Sequence, residues 1–203
     1  MKLTQLCLAA AAALLFLASA AEAAVALNPA KAAAYCVEHG GVVQTRIPEY
    51  NTNGGTPLVL SGSANFCQFT SKKDGSQINV LLSTLFTRQP SLAALAYYAQ
   101  VQLGQCNGNP ASCYCTLLGG TDLFGGINAA GGGWVLRSDP NDVLEACIFP
   151  DLSSIDSWGL AYHSAGIVRG KDLAKVLRYP SPYPSTAAAR TRTLPFAPST
   201  TAR

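Results

Sequence analysis

Charge is what this chain has least of. Of its 203 residues, 12% are charged, and there are only two histidines, two tryptophans and one methionine. So few titratable side chains leave little material for acid–base catalysis, which needs a poised acid, base or nucleophile in a cleft. The formal net charge of +3 belongs to the C-terminal tail, where Arg190, Arg192 and Arg203 have no acidic counterpart. Residues 24–180 hold ten basic and ten acidic residues. A nucleic-acid-binding face requires a clustered basic excess on folded structure, so nucleic acid is excluded as a partner. No Asn-x-Ser/Thr sequon is present, and no Gly-x-Ser-x-Gly elbow. The mean hydropathy of +0.20 is too high for a wholly disordered chain.

The N-terminus reads as a secretory signal over residues 1–23. Lys2 supplies the positive charge, Leu6–Ala21 the apolar run, and Ala18-Ser19-Ala20 or Ala21-Glu22-Ala23 the small-residue cleavage site. The expectation is a secreted, monomeric protein that meets a membrane only through this cleaved segment. Cys7 leaves with it. Six cysteines remain: Cys36, Cys67, Cys106, Cys113, Cys115 and Cys147. An even count in an oxidising compartment points to disulfides. Cys113-Tyr114-Cys115 lacks the second ligand pair that a zinc site needs, so no metal and no other cofactor is expected.

What the chain does have is one stretch used twice. Asn28-Pro29-Ala30, Tyr35-Cys36 and Gly40-Gly41 return as Asn109-Pro110-Ala111, Tyr114-Cys115 and Gly119-Gly120. Each is followed by a further cysteine in an aromatic run, Phe66-Cys67-Gln68-Phe69 and Cys147-Ile148-Phe149-Pro150. The two cysteine spacings are 31 and 32 residues. This agreement indicates an internal duplication, with repeat 1 over residues 24–106 and repeat 2 over 107–178. Units of about 75–80 residues bury a modest core and commonly need staples. Repeat symmetry then favours Cys36–Cys67 and Cys115–Cys147, with Cys106–Cys113 closing the link between the copies; six cysteines allow fifteen pairings.

Local signals give the expected elements. Asn28 and Asn109 are N-caps before a proline that loses nothing at the first helical position. Ala30, Ala33, Ala34 and Val37 make an apolar stripe on the first helix, and Gly40 ends it. Leu58–Leu60 is expected to pair with Asn65–Phe69 across Ser61-Gly62-Ser63. Trp134–Arg137 is expected to pair with Leu144–Phe149 across a turn at Asp139-Pro140-Asn141-Asp142. Copy one has an added strand, Gln77–Leu81, and a helical turn within Ser83–Arg88. The last helices carry the stripes Leu92, Leu95, Ala96, Ala99 and Ile155, Trp158, Gly159, Tyr162, capped by Ser91 and by a box at Ser153–Asp156. Asp172–Leu177 is a short helix. The fold class is therefore α+β: two tandem helix–β-hairpin–helix repeats, disulfide-stapled, before a disordered Pro/Ser/Thr-rich tail at 179–203.

Candidate chemistry is thin. The acidic turn at Asp139–Asp142, with Glu145, is the best calcium candidate, but its spacing does not fit the twelve-residue calcium loop. The glycine-rich stretch Thr121–Gly133 reads as a flexible loop. His39 reads as a favourable helix-end charge and His163 as a solvent-facing helix residue. Glu38, Glu49 and Glu145 form no paired-carboxylate motif. Tyr97, Tyr98, Tyr162 and Trp134 read mainly as core, with carbohydrate or protein contact as the alternative.

The pattern Asn-Pro-Ala, Tyr-Cys, Gly-Gly, Cys-x-Phe-Pro-Asp and a Trp-bearing helix resembles a small secreted bacterial domain described as haemolysin-like or of unknown function. The resemblance is best in copy two, through Cys147-Ile148-Phe149-Pro150-Asp151 and Trp158, and spans residues 28 to about 165. Members carry two further cysteines where this chain has Ile155 and Ile167, and the family brings no established catalytic residues. The resulting expectation is a non-enzymatic, disulfide-stabilised binding or structural module for an extracellular protein or glycan. A hydrolase inhibitor, with Tyr50–Pro57 as its exposed loop, and a membrane-active haemolysin-like protein are the alternatives. For the latter, the only basic amphipathic stretch is Arg169–Arg178.

Overall fold

The computed structural model describes residues 28–122 and 129–183. The signal segment and the tail beyond residue 183 lie outside the described residues, as does the middle of the glycine-rich stretch. In chain order the elements are α1 (Pro29–Glu38), β1 (Val42–Tyr50), β2 (Leu58–Val59), β3 (Ala64–Thr70), β4 (Gln77–Leu81), α2 (Leu82–Phe86), α3 (Leu92–Ala99), α4 (Pro110–Leu117), β5 (Gly132–Leu136), β6 (Asp139–Leu144), β7 (Ala146–Ile148), β8 (Ser154–Asp156) and α5 (Ser157–Ser164), followed by a 3-10 turn at Leu173–Lys175.

The two proline-led helices begin and end alike. The Asn28 side chain accepts the Lys31 N–H, and the Asn109 side chain accepts that of Ala111. At the other end Gly40 and Gly119 take φ of 83° and 81°, left-handed backbone that glycine enters without a Cβ clash. The next N–H in each, Gly41 or Gly120, donates back to the carbonyl of Cys36 or Cys115 at 2.9 Å. The buried face of α1 is Ala32 and Cys36, one position round from the expected stripe, and Val37 is exposed. The disulfide to Cys67 turns Cys36 inward and carries the register with it. On α3, capped by Ser91, the buried residues are Ala93, Ala94, Ala96 and Tyr97, while Leu92 points outward.

The strands form one antiparallel half-barrel, ordered β6-β5-β1-β3-β4-β8-β7, with β2 beside the end of β1. This replaces the expectation of two separate hairpins. Residues 58–59 pair with Glu49 and Tyr50 of β1, and not with β3; β3 lies between β1 and β4. The loop of Ser61–Ser63 joins two strands that share the same edge of β1 and do not face one another. On the other side of β1, β5 pairs over Arg46–Tyr50. The β5–β6 turn falls at Arg137-Ser138, so Asp139–Asp142 is strand. β8 occupies Ser154–Asp156, the stretch read as a capping box, and Asp156 alone caps α5. Only Glu145 separates β6 at one end of the sheet from β7 at the other. The two ends of the half-barrel are thus one bent piece of chain.

Side chains alternate across a strand, so each face collects a different set. The helix-covered face carries Cys67, Phe69, Ile78, Val80, Cys147 and Ile155, packed with Cys36, Leu85, Tyr97, Tyr114, Leu160, Leu173 and Val176. The inner face carries a smaller cluster, Phe66, Leu144 and Ala146, with Ala64, Leu81 and Trp134 against it. The sheet also has a local symmetry. Cys67 lies opposite Val80, Val80 opposite Ile155, and Ile155 opposite Cys147. Val42, just after Gly41, faces Gln68; Thr121, just after Gly120, bridges to Ile148.

The three disulfides are Cys36–Cys67, Cys106–Cys113 and Cys115–Cys147. In the chain-entropy view the two long loops each stabilise the fold by about 3–4 kcal/mol and the short one by about 2 kcal/mol. A glycine roofs each of the two long bridges. A Cβ on Gly41 would overlap the Cys67 sulfur, and one on Gly120 the Cys147 sulfur.

Candidate functional site

The buried polar groups that sequence reading did not single out are the most demanding part of the interior. Arg46 stands on the inner face of β1 and is fully buried. Burial of a cation is tolerated only when its donors are satisfied, and here all of them are. Nε and Nη2 donate to Gln44 Oε1 at 3.0 and 2.6 Å, Nη1 donates to Trp134 O and to Asp142 O and Oδ1, and Nη2 reaches Asp142 Oδ2 at 3.0 Å. The guanidinium therefore ties β1 to β5 and β6. Asp142, the centre of the calcium candidate, is committed to this cation. Asp139 caps Asn141, and Glu145 accepts from Asn109. Among the described residues no group of three or more His, Cys, Asp or Glu could hold a metal ion.

Asp156 sits where β4 meets β8. Its Oδ2 accepts the Asn79 N–H at 2.6 Å and its Oδ1 accepts the Gly159 N–H. Burial pushes its carboxyl up to about 6, opposed by the two amides and by Arg169 and Arg46. One carboxylate thus joins the two halves of the sheet and starts α5.

His163 is buried, not solvent-facing. The apolar stripe misplaced it because Ile155 belongs to a strand, and because Tyr162, rather than His163, faces out from α5. Its ring stacks flat on Tyr97, with centroids 3.8 Å apart and planes 7° from parallel. The Gln100 amide lies 2.7 Å from Nε2, and burial lowers the imidazole pKa. The Tyr97 hydroxyl accepts the Leu173 N–H and lies 3.4 Å from Asp172 Oδ1. Tyrosine, histidine and aspartate are therefore near one another, but face-to-face stacking keeps both imidazole nitrogens off the phenol oxygen. No hydrogen bond joins the imidazole to the phenol, His163 Nδ1 is buried without a partner, and the stack walls α3, α5 and the Leu173 turn. Tyr98 donates to Tyr179 O, and burial raises its phenol to about 12. His39 caps α1, its Nδ1 at 2.8 Å from Tyr35 O.

The outward-facing candidate is the loop from Asn51 to Leu60. Leu58 and Val59 are 59% and 65% exposed, and Leu60 is exposed beside them. The loop is nevertheless fixed. Asn51, at φ 64°, donates its N–H to Gly131 O, Asn53 donates to Ala130 O, and Leu60 donates to Pro48 O. Gly131–Gly133 make this approach possible. A Cβ at Gly131 would press on Asn53, and one at Gly133 would come 2.6 Å from Leu144 O. Gly132 and Gly133 are paired residues of β5 rather than loop, which corrects the reading of that end of the glycine-rich stretch. Trp134 packs on Phe66 inside the half-barrel.

Cys36, Cys67, Cys115 and Cys147 are fully buried, while Cys106 and Cys113 are half-buried beside the link to α4. No helix among the described residues is long and apolar enough to cross a membrane. The three disulfides fit a secreted or extracellular protein. Set against known proteins, the chain matches no family model, no curated protein and no solved structure.

Proposed function

We propose that this is a non-enzymatic extracellular binding module that engages a protein partner through the loop Asn51–Leu60. The observation that carries the reading is a row of exposed apolar side chains, Leu58, Val59 and Leu60, on backbone already tethered to β1 and to residues 130–131. Exposed apolar clusters mark interaction sites, and a pre-ordered loop loses little conformational entropy on binding. The buried titratable groups support the non-enzymatic part. Arg46 and Asp156 are bonded within the fold, and His163 is stacked.

A hydrolase inhibitor is a second reading, favoured by the same loop: it is exposed from Thr56 to Leu60 and its ends are held by the sheet. A haemolysin-like lytic helix has less support. Arg169–Arg178 contains only a 3-10 turn, and its Leu173, Val176 and Leu177 are spent on the core. Within this proposal the body descends from a doubled unit, a reading supported by the matched helix caps, glycine roofs and mirrored register on either side of the Val80–Ile155 pair.

The test is a binding and inhibition screen of the oxidised protein against secreted proteases, glycosidases and a glycan array, repeated with Val59→Asp. A protein hit lost in the variant, at unchanged melting temperature, is the expected result. Hits indifferent to Val59→Asp, or turnover of a substrate by the protein itself, would overturn the reading.

A further inference from the structure

A second surface, remote in sequence from the Asn51–Leu60 loop, collects cations around exposed apolar residues. It forms where the chain after α5 crosses the turn between β3 and β4. Gly170 makes the crossing: its N–H donates to Ser76 Oγ at 3.0 Å, its φ is 60°, and a Cβ there would overlap Phe69 O. Close backbone approach at left-handed φ is what glycine alone supplies cheaply. The crossing brings the backbone between Arg169 and Lys171 to the end of the turn that carries Lys72 and Lys73, both exposed. Lys171 Nζ lies over the Phe69 ring at 5.5 Å and donates to His39 O. The Arg169 guanidinium lies over the Tyr162 ring at 5.0 Å. Among the described residues, the close ion pairs are Arg46–Asp142 and Lys175–Asp172, so none of these four cations makes a salt bridge, although Arg169 acts at longer range on buried Asp156 and Lys73 on Asp74. Asp74 is the one acid in the turn, and it is bonded to Ser76.

Beside the cations stand Ile167 and Val168, 51% and 45% exposed, and Tyr162, held at the end of α5 by the Ile167 N–H donating to Tyr162 O at 2.9 Å. Four acids of the second half stand elsewhere, Asp139, Asp142 and Glu145 on β6 and its exit and Asp151 beyond β7, while Asp156 is buried within reach of the field of Arg169 and Asp172 follows Lys171 and pairs with Lys175.

We propose that this corner, Lys72, Lys73 and Ile167–Lys171, docks peripherally on an anionic lipid bilayer. Negative headgroups complement the unpaired cations, each of which contributes about fivefold to partitioning near such a surface. Ile167, Val168 and Tyr162 select the bilayer over an acidic polysaccharide, because only a bilayer offers an apolar phase beneath its charge. The contact is shallow and involves no spanning helix. It does not depend on the binding-module reading, which uses another surface.

Flotation of the oxidised protein with phosphatidylcholine vesicles, with and without phosphatidylglycerol, tests it. Co-flotation only with the anionic vesicles, weakening as salt is raised, is expected. Lys72→Glu with Lys73→Glu should weaken it at least tenfold, and Ile167→Ser with Val168→Ser several-fold. The control Arg88→Glu with Arg137→Glu, the same charge change at exposed sites elsewhere, and Val59→Asp should each stay within about twofold. Near-ultraviolet circular dichroism confirms that every variant is folded. Absence of binding to anionic vesicles at low salt overturns the proposal. So does equal loss in the control pair. Binding to dextran sulfate that ignores the Ile167 and Val168 substitutions also overturns it, and assigns the corner to polyanionic glycans.

Discussion

The segment from Asn28 to Thr70 and the segment from Asn109 to Ile148 use the same clamp to different ends. In both, a short helix capped by asparagine turns back at a glycine pair, a disulfide passes beneath the second glycine, and the next residue bonds beside the second cysteine. After Gly41 the chain continues as the nine-residue strand β1, which pairs on both edges. After Gly120, among the described residues, the pairing before β5 is the bridge from Thr121 to Ile148, and β5 joins β1 of the other segment. The clamp therefore fixes a local angle between helix and strand. What the following residues can pair with decides the architecture.

Removing each long bridge by paired Cys→Ala substitution separates the two uses most strongly. Each loss should cost about 3–4 kcal/mol, measured by denaturant unfolding. If the clamps are equivalent, the Cys36/Cys67 and Cys115/Cys147 variants fall within about 1 kcal/mol of each other; a larger gap would show that one segment leans on its bridge and the other on its sheet. Next, Arg46→Met attacks the bond that only the first segment makes to the second. Loss of one partner of a buried pair costs about 3–5 kcal/mol. Asp142 is a third exposed and can rehydrate, so about 2–3 kcal/mol is expected, with a loss of protection in β5 and β6 seen by hydrogen exchange. Gly41→Ala and Gly120→Ala should each cost about 1–3 kcal/mol by overpacking the sulfurs, and unequal values would end the equivalence of the two roofs.

Acidity gives a smaller contrast, between the two ends of α5. Asp156 titrates near 6 when folded and near 3.8 when unfolded. The unfolded state therefore releases its proton first, and stability falls as pH rises from about 4 to about 6. His163 acts oppositely. Its folded pKa is below 6.5, so stability is lost as pH falls through that value. Asp156→Asn should flatten the first slope and His163→Phe the second in melting temperature against pH. Unchanged slopes would show that neither group titrates on unfolding.

Much of this was legible in the residues, and what was not has a physical reason. The Asn-Pro starts, the Gly-Gly ends and the cysteine spacing are local signals, and the structure holds the same caps and the same three sulfur pairs. Gln77–Leu81 and Ser91 were equally readable. Strand partners were not: Ser61–Ser63 announces a turn without saying that both flanking strands lie along β1. The β4–β8 junction rests on one residue pair far apart in sequence. The burial of Arg46 had only a faint signal, its alternation with Val43, Thr45 and Ile47 on the opposite face. Asp156 was visible as a helix-start residue, but its second bond, to Asn79, comes from tertiary structure alone.

Because a single residue, Glu145, joins the strand at one border of the sheet to the strand at the other, the molecule has no natural place to be cut in two. A product ending at Cys106 would leave β1 and β4 each with a raw flank, since their neighbours β5 and β8 come from the later residues. Such a fragment would seek strands from its own siblings. Synthesis of the whole chain is thus also protection against self-association, because β5 and β8 arrive later to cover both flanks.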